Sequence, residues 1–527
     1  MIGEVSAVEA KTLVHDGEEL AFLDIREAGE FGEGHPLFAI PCPYSLMEKR
    51  ILELVPRRSV RVLLIDAAGG IAPQAARSLS ALGYDSVAWV AGGAAGWAAA
   101  GFTLYKGVNV PSKTLGELAE AAWHPATIDA ETLAQWRQEG RGFHFFDARP
   151  PAEYAKMRVP GASCLPNGEL AHRFPAAVAE SDTPVVVTCA GRTRGIIGVL
   201  GLRLAGIEAP VYALENGTQG WQLAGFALER GNTADPYPAL DAAQAAATRV
   251  RAEALRQHHG IPKLTATEAA AWRDDAGRTT FLFDLRAPEE IAADPAPAFT
   301  PALSGQLVQA TDLWVGVRHA RLVLMDDLGL RAAIAAFWLR QLGFEVAVAV
   351  LDDGFRRLPA CPPQVRLPAV EEISGAEALA KLNSGAASLI DLRSSASFRL
   401  GHVAGARWSI RPRLKSLDLP QGQTILLVGD DPSAVALAAG DLAAAQTGPV
   451  RVVEGGHEAL VAGGAEVVAS PEEPAGDEAI DFLHFVHDRH DGNLEASRQY
   501  LAWEQGLVAQ LDGAERAAFR LSDWSDD

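Results

Sequence analysis

Cysteine is scarce in these 527 residues, with only Cys42, Cys164, Cys189 and Cys361. The four are widely scattered, with no Cys-x-x-Cys pair and no zinc-type spacing. Neither a disulfide framework nor a structural metal is indicated. Base is also in short supply, with 46 Lys and Arg against 67 Asp and Glu, a formal net charge of −21. Binding to a phosphate backbone relies on basic surface, so nucleic acid is excluded as a partner. Long apolar runs are missing too. No window approaches the ~18 uninterrupted apolar residues of a spanning helix, so no membrane partner is expected. The start, Met1-Ile-Gly-Glu-Val-Ser-Ala-Val-Glu9, carries acid where a signal peptide carries base, which makes a cytoplasmic protein the expectation.

The composition is that of ordinary globular material, 48% hydrophobic and 21% charged. The chain is too long for one core, and roughly three to five domains are expected from length alone. Their outline is written as a repeat. Phe22-Leu-Asp24-Ile-Arg26 recurs as Phe146-Asp147-Ala-Arg149, Phe283-Asp284-Leu-Arg286 and Ile390-Asp391-Leu-Arg393. Each follows a short apolar run, so each reads as a strand that ends in Asp-x-Arg. Glu30, Glu153 and Glu290 follow in the first three copies, and Ser397 in the fourth. A second apolar strand comes next in every copy. The residue after it is Asp66, Cys189, Asp326 or Gly429, which lies 42 residues beyond the Asp of Asp-x-Arg in three copies and 38 in the fourth. An Ala- and Leu-rich helix then leads to a third strand and a glycine marker: Gly92-Gly93, Asn216-Gly217, Asp353-Gly354 and Gly455-Gly456.

Strands alternating with helices imply an α/β fold of parallel sheets with helices on both faces. The expected domains are 1–108, 124–232, 262–360 and 368–468, followed by a helical C-terminal extension over 475–527. Lys106 to Pro125, a proline-to-helix stretch near Asp235–Gly260 and a short Pro-rich join at Pro359–Pro368 read as linkers. Such folds bind ligands at the carboxyl ends of their strands, and Cys189 falls there. It opens the loop Cys189-Ala-Gly-Arg-Thr-Arg-Gly195 before a helix. Backbone N–H groups at that helix start, with the guanidiniums of Arg192 and Arg194, would stabilise a thiolate and hold an anion beside it.

These elements resemble the rhodanese (sulfurtransferase) family. The matching residues are Asp147-x-Arg149 followed by Glu153-Tyr154, Val159-Pro-Gly161-Ala, the Cys189 loop and Asn216-Gly217-x-x-Gly220-Trp221. The resemblance runs from residue 1 to about 468 as four tandem rhodanese-like modules, of which only the second has the cysteine. It implies that the Cys189 thiolate takes the outer sulfur of thiosulfate, carries it as a persulfide and passes it to cyanide or a thiol. In that reading Ala190, Gly191, Arg192, Thr193, Arg194 and Gly195 wrap the sulfur and bind substrate. Asp147, Arg149 and Glu153 brace the scaffold. Some two-domain members carry a substrate-binding arginine at the Glu153 position, and that contact is missing here. No cofactor and no metal is implied, because the sulfur is carried covalently.

Other readings stay open beside this one. A persulfide relay that serves a protein acceptor fits three inert modules, an acidic surface and a helical tail. Mercaptopyruvate is a rival donor, although enzymes of that type tend to carry a Gly-Ser-Gly-Val-Thr-like loop. A cysteine phosphatase would need Cys-x5-Arg, and position 195 is Gly. Asp66 and Asp326 read as decayed nucleophile positions rather than catalytic acids. Arg331 lies five residues after Asp326, as Arg194 does after Cys189, and suggests a vestigial anion pocket. Cys164 reads as a small core residue rather than a resolving thiol. His484, His487 and His490 have metal-like spacing but read as surface or partner-contact residues. Whether the chain pairs as a homodimer is left open.

Overall fold

The computed structural model describes residues 2–68, 70–178, 182–362, 365–419, 422–445, 448–484 and 493–522. The chain divides into two compact units that are interleaved in sequence. The first holds Met1–Ala10, Ala21–Val108 and Pro363–Phe485; the second holds Lys11–Leu20, Asn109–Pro362 and Val486–Asp527.

Two parallel sheets make up the first unit. One has the strand order Ile2–Val5, Val87–Val90, Arg61–Ile65, Leu20–Asp24, Ile40–Pro41. The other repeats that order with Glu372–Ile373, Val450–Val453, Thr424–Val428, Ala387–Asp391 and Arg407–Trp408. A buried arginine joins the two modules. Arg411 donates to both oxygens of Glu48 (2.6 and 2.8 Å) and to Asp441 Oδ2 (3.0 Å).

In the second unit, one sheet has the order Thr127–Ile128, Val211–Leu214, Val185–Thr188, His144–Asp147, Ser163–Cys164, which is the first unit's pattern again. The other runs Thr300–Pro301, Thr280–Asp284, Arg321–Asp326, Glu345–Val350. Its opening strand is reduced to a single parallel bridge between Lys263 and Val348. Here too a buried arginine spans the modules: Arg331 donates to Glu169 Oε1 at 2.6 Å and to Glu290 Oε2 at 2.7 Å. The central strands are short because they are covered on both faces; Leu20–Asp24 and Val185–Thr188 are buried along their whole length.

The Asp-x-Arg signature has one physical explanation in all four copies. The Asp ends the strand, and its carboxylate takes Nε and Nη2 of the Arg two residues on. The same Nη2 then reaches the carbonyl eight residues further: Gly34, Met157, Asp294 and Gly401. The bidentate pair fixes the loop leaving each strand, and both partners are hydrogen-bonded on burial.

The first expected linker is structured, and the second contains the helix expected of it. Residues 106–125 contain the helix Val110–Trp123, in which Ser112, Lys113, Thr114 and Glu117 are buried along with Leu115 and Ala119. Ala242–His258 is a helix opened by an Asp241–Gln244 capping box. Residues 477–483 are turns and irregular chain, and the described part of the extension has the helices Leu494–Gln505 and Gly513–Ala517, with a short 3₁₀ turn at Val508–Gln510 between them. His484 is exposed, and His487 and His490 lie outside the described residues. Among the described residues, no helix is long and apolar enough to cross a membrane.

Candidate active site

Cys189 follows the strand Val185–Thr188, which lies between Val211–Leu214 and His144–Asp147 at the carboxyl edge of a parallel sheet. The helix begins at Thr193, so the loop is shorter than the sequence suggested and Thr193–Gly195 form a first helical turn. The glycine marker has a steric cause. Gly217 has φ +53°, and a Cβ there would lie 2.2 Å from the Cys189 carbonyl oxygen. That close approach lets Thr218 N–H donate to Cys189 O (2.8 Å) and Gln219 N–H to Ala190 O (3.2 Å). The loop is thereby tied to the helix Gly217–Leu223.

Cys189 itself is only 2% exposed. Burial pushes its thiol above the ordinary value; the charge of Arg194 and the Gly195 N–H oppose this, and the charge of Glu504 adds to it. The two arginines do not behave alike. Arg192 is turned away from the sulfur: it donates to Glu117 at 2.8 and 3.1 Å and also pairs with Glu120. The Arg192 guanidinium, expected at the substrate anion, is held by two carboxylates of the helix Val110–Trp123. Arg194 is buried near the sulfur and bonded through both Nη atoms to Glu153, at 2.6 and 2.7 Å. Glu153 thus orients a site arginine, whereas the scaffold brace consists of Asp147 and Arg149. Glu290 and Arg331 repeat this pairing in the next module at 2.7 Å.

Two side chains were invisible to motif reading. Asn167 donates to Arg194 O at 2.8 Å and packs against Gly198. Glu504, from the helix Leu494–Gln505, accepts from Thr193 Oγ1 at 2.6 Å. Its Oε2 is buried without a hydrogen-bond partner and lies 3.1 Å from where a Gly191 Cβ would stand.

The other three modules fill the same place with acid. Asp66 Oδ2 accepts from the N–H groups of Gly70, Ile71 and Ala72 at 3.0–3.2 Å. Asp326 accepts from Gly329 N–H and, at 3.2 Å, from Ala332 N–H. Asp431 takes Ser433 and Ala434 N–H, and a side chain at Gly429 would meet Val435 at 2.7 Å. The chain's own carboxylates occupy these helix-start donors. The expected vestigial anion pocket at Arg331 is filled as well, by Glu169, Glu290 and Asp327.

His172, Asp326 and Asp327 bring ligand atoms within 4.8 Å of one another. The positive charge there is already supplied by Arg331, 2.7 Å from Asp327 and 3.8 Å from Asp326, so the trio does not suit a metal. Cys164 and Cys42 are buried, and desolvation pushes both thiols up to about 12. Cys361 is exposed.

A family profile described as rhodanese-like domain matches residues 6–100 and 129–224. The crystal structure of a thiosulfate sulfurtransferase from Pseudomonas aeruginosa is 36% identical over 98% of this chain and 99% of that one, with a TM-score of 0.89. The chain belongs to the rhodanese-like family. As a rhodanese-family sulfurtransferase it is related throughout its length to a known structure. Two further structures match single modules. A rhodanese-like domain from Anabaena sp. is 26% identical over 22% of this chain and 91% of its own (TM-score 0.19). A rhodanese-related protein from Thermoplasma volcanium is 19% identical over 19% and 97% (TM-score 0.17). No curated protein matches.

Proposed function

We propose that this rhodanese-like protein moves a sulfane sulfur through a persulfide on Cys189, with thiosulfate as donor and a thiol or cyanide as acceptor. The observation that carries the reading is the contrast among the four modules. In three, a carboxylate of the chain is bonded to the N–H groups that follow the second strand; in the second, a cysteine stands there, with a buried arginine beside it. Thiosulfate is supported by the name of the full-length relative. The thiolate attacks the outer sulfur, the S–S bond of thiosulfate breaks and sulfite leaves. Arg194 offsets the charge that gathers at the Cys189 sulfur.

The test is thiosulfate-plus-cyanide turnover by the wild type and Cys189→Ser, with mass spectrometry after thiosulfate alone. A gain of about 32 Da on Cys189, with thiocyanate formation that the variant loses, is the expected result. A loaded Cys189 that yields thiocyanate only slowly would favour the second reading, a relay to a protein acceptor. No loading from thiosulfate would overturn the donor assignment and make mercaptopyruvate the next candidate.

A further inference from the structure

The hydrogen-bonded surroundings of residues 192–194 are acidic on balance. Arg192 and Arg194 face Glu117, Glu120, Glu153 and Glu504. Five of these six are joined in ion pairs. Glu504 makes no ion pair: the Arg192 charge acts on it only at a distance, and its hydrogen bond comes from the Thr193 hydroxyl. Its second oxygen is buried without a donor, although the residue is only 2% exposed. A buried acceptor oxygen left unmatched is destabilising, so it marks a place where a donor is wanted. Lys113 is near but is committed to the rings of Tyr500 and Trp503, at 5.8 and 5.1 Å from their centroids. The orphan oxygen lies against Gly191, two residues from the sulfur. A ligand seated on this loop with an N–H, O–H or S–H group would meet it.

On the sulfurtransferase reading above, we infer that Glu504 is the base that takes the proton of an uncharged thiol acceptor. The atoms balance without an added oxidant or reductant. The acceptor R–S–H gives its proton to Glu504 Oε2 while its sulfur attacks the outer sulfur of Cys189–S–S–H. The Cys189 S–S bond breaks and its electron pair returns to the Cys189 sulfur. R–S–S–H leaves, and the proton on Glu504 passes to Cys189, whose burial favours the neutral thiol. The acidic balance disfavours acceptors that carry their own negative charge and admits a neutral thiol.

The experiment is single-turnover transfer from enzyme first loaded on Cys189 and checked by mass, with mercaptoethanol or sulfite as acceptor. Mercaptoethanol has a proton to lose; sulfite is an anion that attacks without losing one. Glu504→Gln retains an oxygen for Thr193 but cannot take a proton. Transfer to mercaptoethanol should fall about 100-fold in this variant, while transfer to sulfite stays level or rises as a negative charge is removed. Glu504→Asp should recover part of the thiol rate. Equal losses for both acceptors would reduce Glu504 to a docking residue, and an unchanged thiol rate would remove it from the reaction; either result overturns the inference. Failure of Cys189 to load would instead strike the sulfurtransferase reading, so the two failures are separable.

Discussion

At the scale of the residue, the reactivity of Cys189 is set by a contest between burial and charge. Burial, the largest influence, raises the thiol; Arg194 and the Gly195 N–H lower it; Glu504 raises it further. A raised pKa means that the thiolate fraction at neutral pH is below that of a free cysteine and grows as pH rises. Alkylation of Cys189 by iodoacetamide, followed on its own peptide because Cys361 is exposed, should therefore accelerate with pH, with its midpoint above the free-cysteine value of about 8.5. Glu504→Gln should shift that midpoint down and Arg194→Gln should shift it up. If the two variants share one profile, these charges do not reach the sulfur. The same balance bears on the donor: a loop with two more acids than bases meets a dianion poorly, so loading from thiosulfate should be the slower half-reaction.

At the scale of the element, the brace Asp-x-Arg is the best example of what one sequence can disclose. It is local: strand end, two-residue step and a carbonyl eight residues on, repeated with the same geometry in every module. Arg286→Gln would leave Asp284 buried without its charge partner and the Asp294 carbonyl without its donor. Removing one partner of such a pair costs about 3–5 kcal/mol, so the second unit should unfold at clearly lower denaturant while Cys189 chemistry per folded molecule is kept. The spacing from Asp-x-Arg to Asp66, Cys189 and Asp326 was legible for the same reason, since strand lengths and short crossovers fix it. Two elements were not. Val110–Trp123 buries serine, lysine, threonine and glutamate, so its hydropathy pattern reads as a surface linker. Glu504 lies 311 residues from its partner Thr193, and no motif links the two. Arg192 misled because its charge was visible in sequence and the acids that hold it, Glu117 and Glu120, sat in that supposed linker.

At the scale of the whole molecule, the interleaved order of the two units means that the C-terminal segment completes the unit that contains Cys189, although module-like sequence of the other unit lies between them. Within that unit, Tyr500, Leu501 and Leu507 are 6%, 7% and 0% exposed, and Lys11 bonds Glu515 at 2.6 Å. Fully burying a large apolar side chain contributes about 1.5–3 kcal/mol, so these three together stabilise the second unit by roughly 5–9 kcal/mol as an upper bound. That is a large share of the stability of an ordinary domain. A chain ending at residue 485 should therefore lose amide protection in the second unit, first in Val110–Trp123 and Thr193–Leu204, against which the missing helix packs. Strands of the first unit such as Arg61–Ile65 and Thr424–Val428 should keep theirs, because every residue of that unit is still present. Hydrogen exchange resolved by peptide reads both at once. Uniform loss across the two units would mean that they do not hold their folds separately, and unchanged protection of Val110–Trp123 would mean that the tail helix adds no stability there. Loss confined to the second unit would make the C-terminal segment part of the sulfur-transfer unit, which is what Glu504 requires of it.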